Sequence, residues 1–184
     1  MPPWVPWENF PCSYLHLTCT IGLLAARERK FPNSINNGLP ILASKVKVVV
    51  PKVVNHYSVR ASMSWLSLGQ KNVIEVDVDD DYCFLPKALD KAITDEKKCG
   101  NIVMACVAYA GDSRTMSIDK FTEIYNILSK HDVWFHVDAC HGFQLAFSKK
   151  YCDRIKVSNF STLLQISTYL ISKLTNACRF CFRA

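Results

Sequence analysis

Three short stretches of the 184-residue chain concentrate side chains able to do chemistry: N-H-Y-S-V at 55–59, A-Y-A-G-D-S-R-T at 108–115 and H-V-D-A-C-H-G at 136–142. Asp138 closes an apolar run, so its carboxylate either makes charge-assisted hydrogen bonds to a bound cationic group or caps the turn after a strand. His56 brings an imidazole that titrates near neutral pH, or else a structural residue at the start of a helix. Gly111 marks a tight turn in which backbone can approach a ligand closely. Asp112 and Arg114 pair with each other or line a substrate pocket, and His141 faces substrate or the surface; residue types alone leave both choices open.

The elements that must position these groups alternate between period 2 and period 3.6. Residues 17–30 read as a helix with Leu17, Ile21, Leu24 and Ala25 inward and basic residues at its C-terminal end, where they suit the dipole. A β-branched run at 46–54, interrupted by Pro51, predicts a strand that ends or bulges there. A helix follows at 57–68 with Val59, Met63 and Leu66 on one face and Gly69 as its stop. A short alternating strand at 72–78 precedes a helix opened by Pro86, its stripe formed by Leu85, Leu89, Ala92 and Ile93. Residues 102–108 form an apolar strand of the kind covered on both faces. Ser117 is placed to cap a helix with Asp119 in its first turn and Ile118, Phe121, Tyr125 and Leu128 inward. A last buried strand at 133–137 ends at Asp138. Strands separated by helices of this length imply crossovers and a mainly parallel α/β sheet flanked by helices. Such sheets bind ligands at the carboxyl ends of their strands, where the three stretches fall.

Composition narrows the class. Hydrophobic residues make up 49% and charged residues 21%, which suits a folded globular domain. The net charge of +6 is scattered and Arg27, Arg29, Lys30 and Lys97, Lys98 sit beside Glu28 and Glu96, so no nucleic-acid footprint is expected. No run of about twenty apolar residues is present to span a membrane, and the opening Pro- and Trp-rich residues do not read as a secretory signal. Of nine cysteines only Cys178 and Cys181 have C-x-x-C spacing, a weak metal or redox signal; reduced cysteines and a cytoplasmic protein are expected. No metal site is expected.

In this order and with these intervening elements, H-Y-S-V, the glycine turn and H-V-D-A with its following glycine resemble the group II pyridoxal-phosphate-dependent amino-acid decarboxylases. The resemblance covers residues 17–156. It implies a partial fold-type-I large domain, a pyridoxal 5′-phosphate cofactor, an amino acid as substrate of complete relatives, and dimers, homo- or heteromeric. When bound, that cofactor supplies an electron sink for the pair left as carbon dioxide departs. By resemblance Asp138 would pair with the ring nitrogen and keep it protonated, His56 would stack on the ring, Ala139 would let the ring pack close, and Gly111 would approach it in the turn.

Two departures matter. The glycine-rich turn that holds the cofactor phosphate in the family is replaced before the first helix by Tyr14-Leu15-His16, and no glycine precedes Gly22. The family's Schiff-base lysine follows a histidine; Lys173 stands at a similar distance but in L-I-S-K-L, so no catalytic lysine is assigned and cofactor binding is expected to be weakened or lost. The chain thus divides into an irregular segment at 1–16, the partial domain at 17–156 and a divergent tail at 157–184. The tail reads either as an amphipathic helix with Phe160, Leu163, Leu164, Ile171 and Leu174 on one side or as a frame or splice artefact. Alternative readings are an aminotransferase or cysteine-desulfurase-like enzyme, or a non-catalytic remnant that pairs with a complete homologue.

Overall fold

A computed structural model describes residues 14–53, 56–139, 141–142, 145 and 148–155. The expectations for residues 1–13, Asn55, Cys140 and the tail with Lys173, Cys178 and Cys181 lie outside these.

Four strands, β1 (Val46–Pro51), β2 (Val73–Val76), β3 (Ile102–Tyr109) and β4 (Trp134–Asp138), pair in the order β2-β1-β3-β4, and every pair is parallel. Helices α1 (Tyr14–Lys30) and α2 (Ser34–Asn37) precede the sheet; α3 (Tyr57–Trp65), α4 (Pro86–Lys98) and α5 (Phe121–His131) connect successive strands. This is the expected α/β class. After β2 the chain crosses back past β1, so the connections leaving β1 and β3 run to opposite faces of the sheet, the kind of switch point at which such folds bind ligands.

Side-chain alternation along the strands divides the core in two. Val46, Val48, Val50, Ala105, Val107, Tyr109 and Trp134 pack with Leu23 of α1 and Val59 and Met63 of α3. On the opposite face Val49, Cys106, Ala108, Ala110, Phe135, Val137 and Ala139 pack with Leu89 and Ile93 of α4 and Ile124 and Leu128 of α5. A register shift between Lys47 and Val48 against β3 places Met104 and Ala105 consecutively in the first layer. Among the described residues no helix is long and apolar enough to cross a membrane.

Several sequence expectations change. The inward face of α1 is Cys19, Leu23 and Ala26, with Leu24 and Ala25 partly buried, whereas Leu17 and Ile21 are each 51% exposed. A period-3.6 pattern on a helix with apolar residues on several faces does not choose its own face; packing against β3 and α3 does. Leu85 is exposed and Phe84 takes the buried position ahead of α4, because Phe84 is held to Asp119 by its backbone amide. The third helix ends at Trp65, with Ser67 and then Gly69 at positive φ. Ser117 is not a cap: α5 begins at Phe121, and the Ser117 carbonyl instead accepts the Gly111 and Asp112 amides. Asp119 lies ahead of α5 rather than in its first turn.

The two faces of α1 give a direct test. Leu23→Ala should cost about 3 kcal/mol in urea unfolding through the cavity it leaves. Ile21→Ala should cost less than about 0.5 kcal/mol, as an exposed substitution.

Candidate functional site

The site is assembled where β1, β3 and β4 end. Pro51 terminates β1, and its carbonyl accepts a 2.6 Å hydrogen bond from His56 Nε2. Because a carbonyl only accepts, Nε2 carries the proton, which leaves the Nδ1 lone pair to accept from the Tyr109 hydroxyl at 2.6 Å. The two rings are stacked, with centroids 5.4 Å apart and planes inclined by 28°. His56 is 2% exposed. Burial, together with the positive charge of Arg114, holds its pKa below the ordinary histidine value against the opposing Pro51 bond and the Glu75 and Asp112 charges, so the ring is neutral at neutral pH. Burial and the Asp138 charge push the Tyr109 phenol well above its usual range, and it stays protonated.

Tyr109 is the register partner of Asp138, and the Ala110 amide donates to the Asp138 carbonyl. Parallel partners present their side chains to the same face, so Asp138 shares the α1 side of the sheet with Tyr109, Trp134 and His136. Asp138 is buried, and Cys19 of α1 feels it: burial and that charge push the thiol up to about 12. His136, also buried, has no hydrogen-bond partner on either nitrogen among the described residues, and burial depresses its pKa against the Asp138 charge. Ala139 lies on the opposite face, packed in the layer of α4 and α5.

Two glycines lock the loops beyond β3 and β4 together. Gly111 has φ +81°, and a Cβ there would meet the Gly142 backbone at 3.0 Å; a Cβ on Gly142 would coincide with the Ala110 carbonyl. Asp112 and Arg114 form an ion pair at 2.7 Å, with Arg114 Nε and the Arg114 amide also donating to the carboxylate. Burial works to raise the Asp112 carboxyl, but the Arg114 and Thr115 hydrogen bonds outweigh it and hold it below the usual carboxylate range. His141 is exposed. Among the described residues no group of three or more His, Cys, Asp or Glu side chains is placed to hold a metal ion.

The structure therefore brings His56, Gly111 and Asp138 to one end of the sheet and puts Ala139 across it. It adds two residues to which sequence reasoning gave no part in the site. Tyr109 is one; its signal was a bulky aromatic two residues before Gly111. Asp119 is the other: its buried carboxylate accepts the Tyr109 amide at 2.8 Å and the Phe84 amide at 2.9 Å, fixing the end of β3. Burial raises its pKa to about 6 despite those bonds.

Against the planar pyridine ring that the resemblance implies, these residues fit in part. The Asp138 carboxylate stands on the correct kind of ground, a buried strand end. His56 does not fit: both nitrogens are engaged, the Tyr109 hydroxyl holds its Nδ1 edge and only 2% of the residue is accessible, so the imidazole is closed to a ligand.

Asp119 has a pH signature. A carboxyl raised above its unfolded value favours the folded state in its protonated form, so its contribution is fully present below about pH 4 and is lost as pH rises through about 6. Asp119→Asn should remove that dependence, so that after an overall loss of about 1–3 kcal/mol for the amide left unpaired the urea midpoints of the variant and the unaltered chain converge as pH rises from about 4 to about 7. Gly142→Ala should destabilise by about 2 kcal/mol or more, measured by thermal unfolding, because backbone must shift to admit the methyl.

Comparison with known proteins agrees with this architecture. The family model described as the pyridoxal-dependent decarboxylase conserved domain matches residues 16–160. An acidic amino acid decarboxylase of Xenopus tropicalis is 35% identical over 54% of this chain and 20% of its own length. An L-2,4-diaminobutyrate decarboxylase of Acinetobacter baumannii is 30% identical over 69% of this chain and 26% of its own. The glutamate decarboxylase domain of a diaminobutyrate-pyruvate transaminase and L-2,4-diaminobutyrate decarboxylase from Vibrio parahaemolyticus superposes with a TM-score of 0.71 at 33% identity, covering 77% of this chain and 32% of that one. Mouse CSAD, at 24% identity and TM-score 0.69 over 78% of this chain and 29% of its own, shares the fold. The chain thus spans a fifth to a third of the length of these relatives, and with its parallel sheet and matched residues it belongs to the pyridoxal-dependent decarboxylase family.

Proposed function

We propose that this chain is a large-domain piece of an amino-acid carboxy-lyase that does not turn over substrate by itself. Complete relatives on this reading convert an amino acid to an amine and carbon dioxide. The observation that carries it is the meeting of the Gly111 turn and the buried Asp138 carboxylate at the carboxyl ends of β3 and β4, within the family match over residues 16–160. A site with a carboxylate and an imidazole but without the lysine-bearing motif lacks the nucleophile that anchors the cofactor and exchanges it for substrate. Cofactor binding is accordingly weak or lost in this chain.

The family match favours decarboxylation over the aminotransferase and desulfurase alternatives. It does not choose the substrate side chain, since relatives named for acidic amino acids and for diaminobutyrate resemble the chain about equally. Free Cys19, Cys83, Cys99 and Cys106 support a cytoplasmic location. Pairing with a complete homologue is the second reading, favoured by the exposed Leu17 and Ile21 on the outer face of α1.

The test is release of labelled carbon dioxide from glutamate, aspartate, cysteine sulfinate and diaminobutyrate with added pyridoxal phosphate, followed by borohydride reduction and peptide mapping. No release above the protein-free control and no preferred labelled lysine are expected. Turnover accompanied by a single reduced adduct at Lys173 would overturn the proposal.

A further inference from the structure

We infer that Arg114 is the specificity-determining residue of this strand-end site, selecting an amino acid whose side chain ends in an anion, a carboxylate or sulfinate, over one ending in an amine. The inference rests on the reading of the cluster as an amino-acid site and names the substrate class within it.

The loop after β3 is organised around one buried carboxylate. Asp112, 4% exposed, accepts the backbone amides of Arg114 at 2.9 Å and Thr115 at 3.3 Å. The same carboxylate accepts Arg114 Nε at 3.1 Å and Nη2 at 2.7 Å. The Ser117 carbonyl closes the loop by accepting the Gly111 and Asp112 amides, and Gly111 packs against the Gly142 backbone. A long side chain is thus held at both its backbone and its head, so it loses less rotamer freedom on gripping a ligand than an untethered arginine would. The pair also has a direction. Its carboxylate is buried whereas the Arg114 side chain is 33% exposed, which turns the positive end outward. A guanidinium carries five donors, and Asp112 draws on those of Nε and Nη2 alone.

The location matches the topology. Arg114 belongs to the connection that leaves β3 for α5, yet its charge acts on His56, ahead of α3, and on Tyr109. Tyr57, the first residue of α3, in turn favours the charged guanidinium. Arg114 therefore stands within electrostatic reach of both connections at the β1–β3 switch point, where folds of this class take their ligands. His56 and Tyr109 are buried there, while Tyr57 is 67% exposed and Arg114 is accessible, so recognition at this end of the sheet falls to accessible groups of positive or neutral character. An anionic side chain gains charge-assisted hydrogen bonds from the guanidinium, and an ammonium meets like charge.

The probes are glutamate and 2,4-diaminobutyrate, whose two-methylene side chains end in opposite charges, titrated into the full 184-residue chain and followed by NMR. Glutamate is expected to bind at least about tenfold more tightly than diaminobutyrate and to shift the Arg114 Nε–H resonance. Arg114→Gln, which can still donate to Asp112 but carries no charge, should bring the two probes to within about twofold of each other. Arg114→Lys, with the charge but not the planar fork, should keep part of the preference. Equal affinities in the unaltered chain, binding of neither probe, or a preference that survives Arg114→Gln each overturns the assignment. Asp138→Ala separates this outcome from the reading beneath it. Binding that needs Asp138 but not Arg114 removes the role of Arg114 and leaves the amino-acid site. A preference that needs Arg114 and is indifferent to Asp138→Ala supports the anion contact and removes Asp138 from the same site. Should Arg114→Gln not fold, the Arg114 Nε–H resonance of the unaltered chain decides: a shift with glutamate and none with diaminobutyrate supports the assignment, and any other pattern overturns it.

Discussion

The parallel register of β3 against β4 sets the geometry of the whole strand-end cluster. Ala105 lies opposite Trp134, Val107 opposite His136 and Tyr109 opposite Asp138, so polar and aromatic groups of both strands meet on one face. A slip of one residue would send Asp138 into the apolar layer of α4 and α5 and bring Ala139 in its place. That layer, built from Val137, Phe135, Ala108 and Cys106, has nothing to offer a carboxylate, and burying one there unpaired would cost several kcal/mol. The hydrophobic pattern of the two strands therefore fixes the side on which the chemistry sits.

Holding polar groups in so apolar a setting requires partners. Asp119 satisfies the amides of Tyr109 and Phe84 at once, which joins the end of β3 to the turn ahead of α4. His56 satisfies the Pro51 carbonyl and receives the Tyr109 phenol. Gly111 and Gly142 let the loops beyond β3 and β4 touch through backbone, a closeness that side chains would forbid. Farther along the same face, Lys30 and Arg29 at the end of α1 pair with Asp132 in the turn before β4, and Arg29 lies over the Trp134 ring at 5.7 Å. These exposed pairs add little stability singly, yet they tie the first helix to the last strand of the described sheet.

Much of this was legible beforehand. The four strands and the helices between them follow from the switching of apolar period, and the buried Val59, Met63, Leu89, Ile93, Phe121 and Leu128 lie where that period puts them. The gathering of His56, Gly111 and Asp138 at strand ends follows from parallel topology. The inward face of α1 was misread because Leu17 and Ile21 satisfy the same spacing as Leu23, and only the neighbours of a helix choose between two apolar stripes. Asp119 was misread because an acidic residue ahead of a helix suits a dipole as well as it suits two distant amides. Its partners lie 10 and 35 residues away in the chain, beyond the reach of any local pattern.

By itself the sequence determined class and location: periodicity dictates strands and helices, and parallel topology dictates that His56, Gly111 and Asp138 fall at one end of the sheet. Tertiary structure alone decided which ring His56 meets. The position of Tyr109 against the Nδ1 edge of that imidazole depends on the register of β3 with β4 and on the path of the chain from Pro51 into α3. Both arise from packing between segments distant in sequence, and no local preference of a tyrosine before a glycine encodes them.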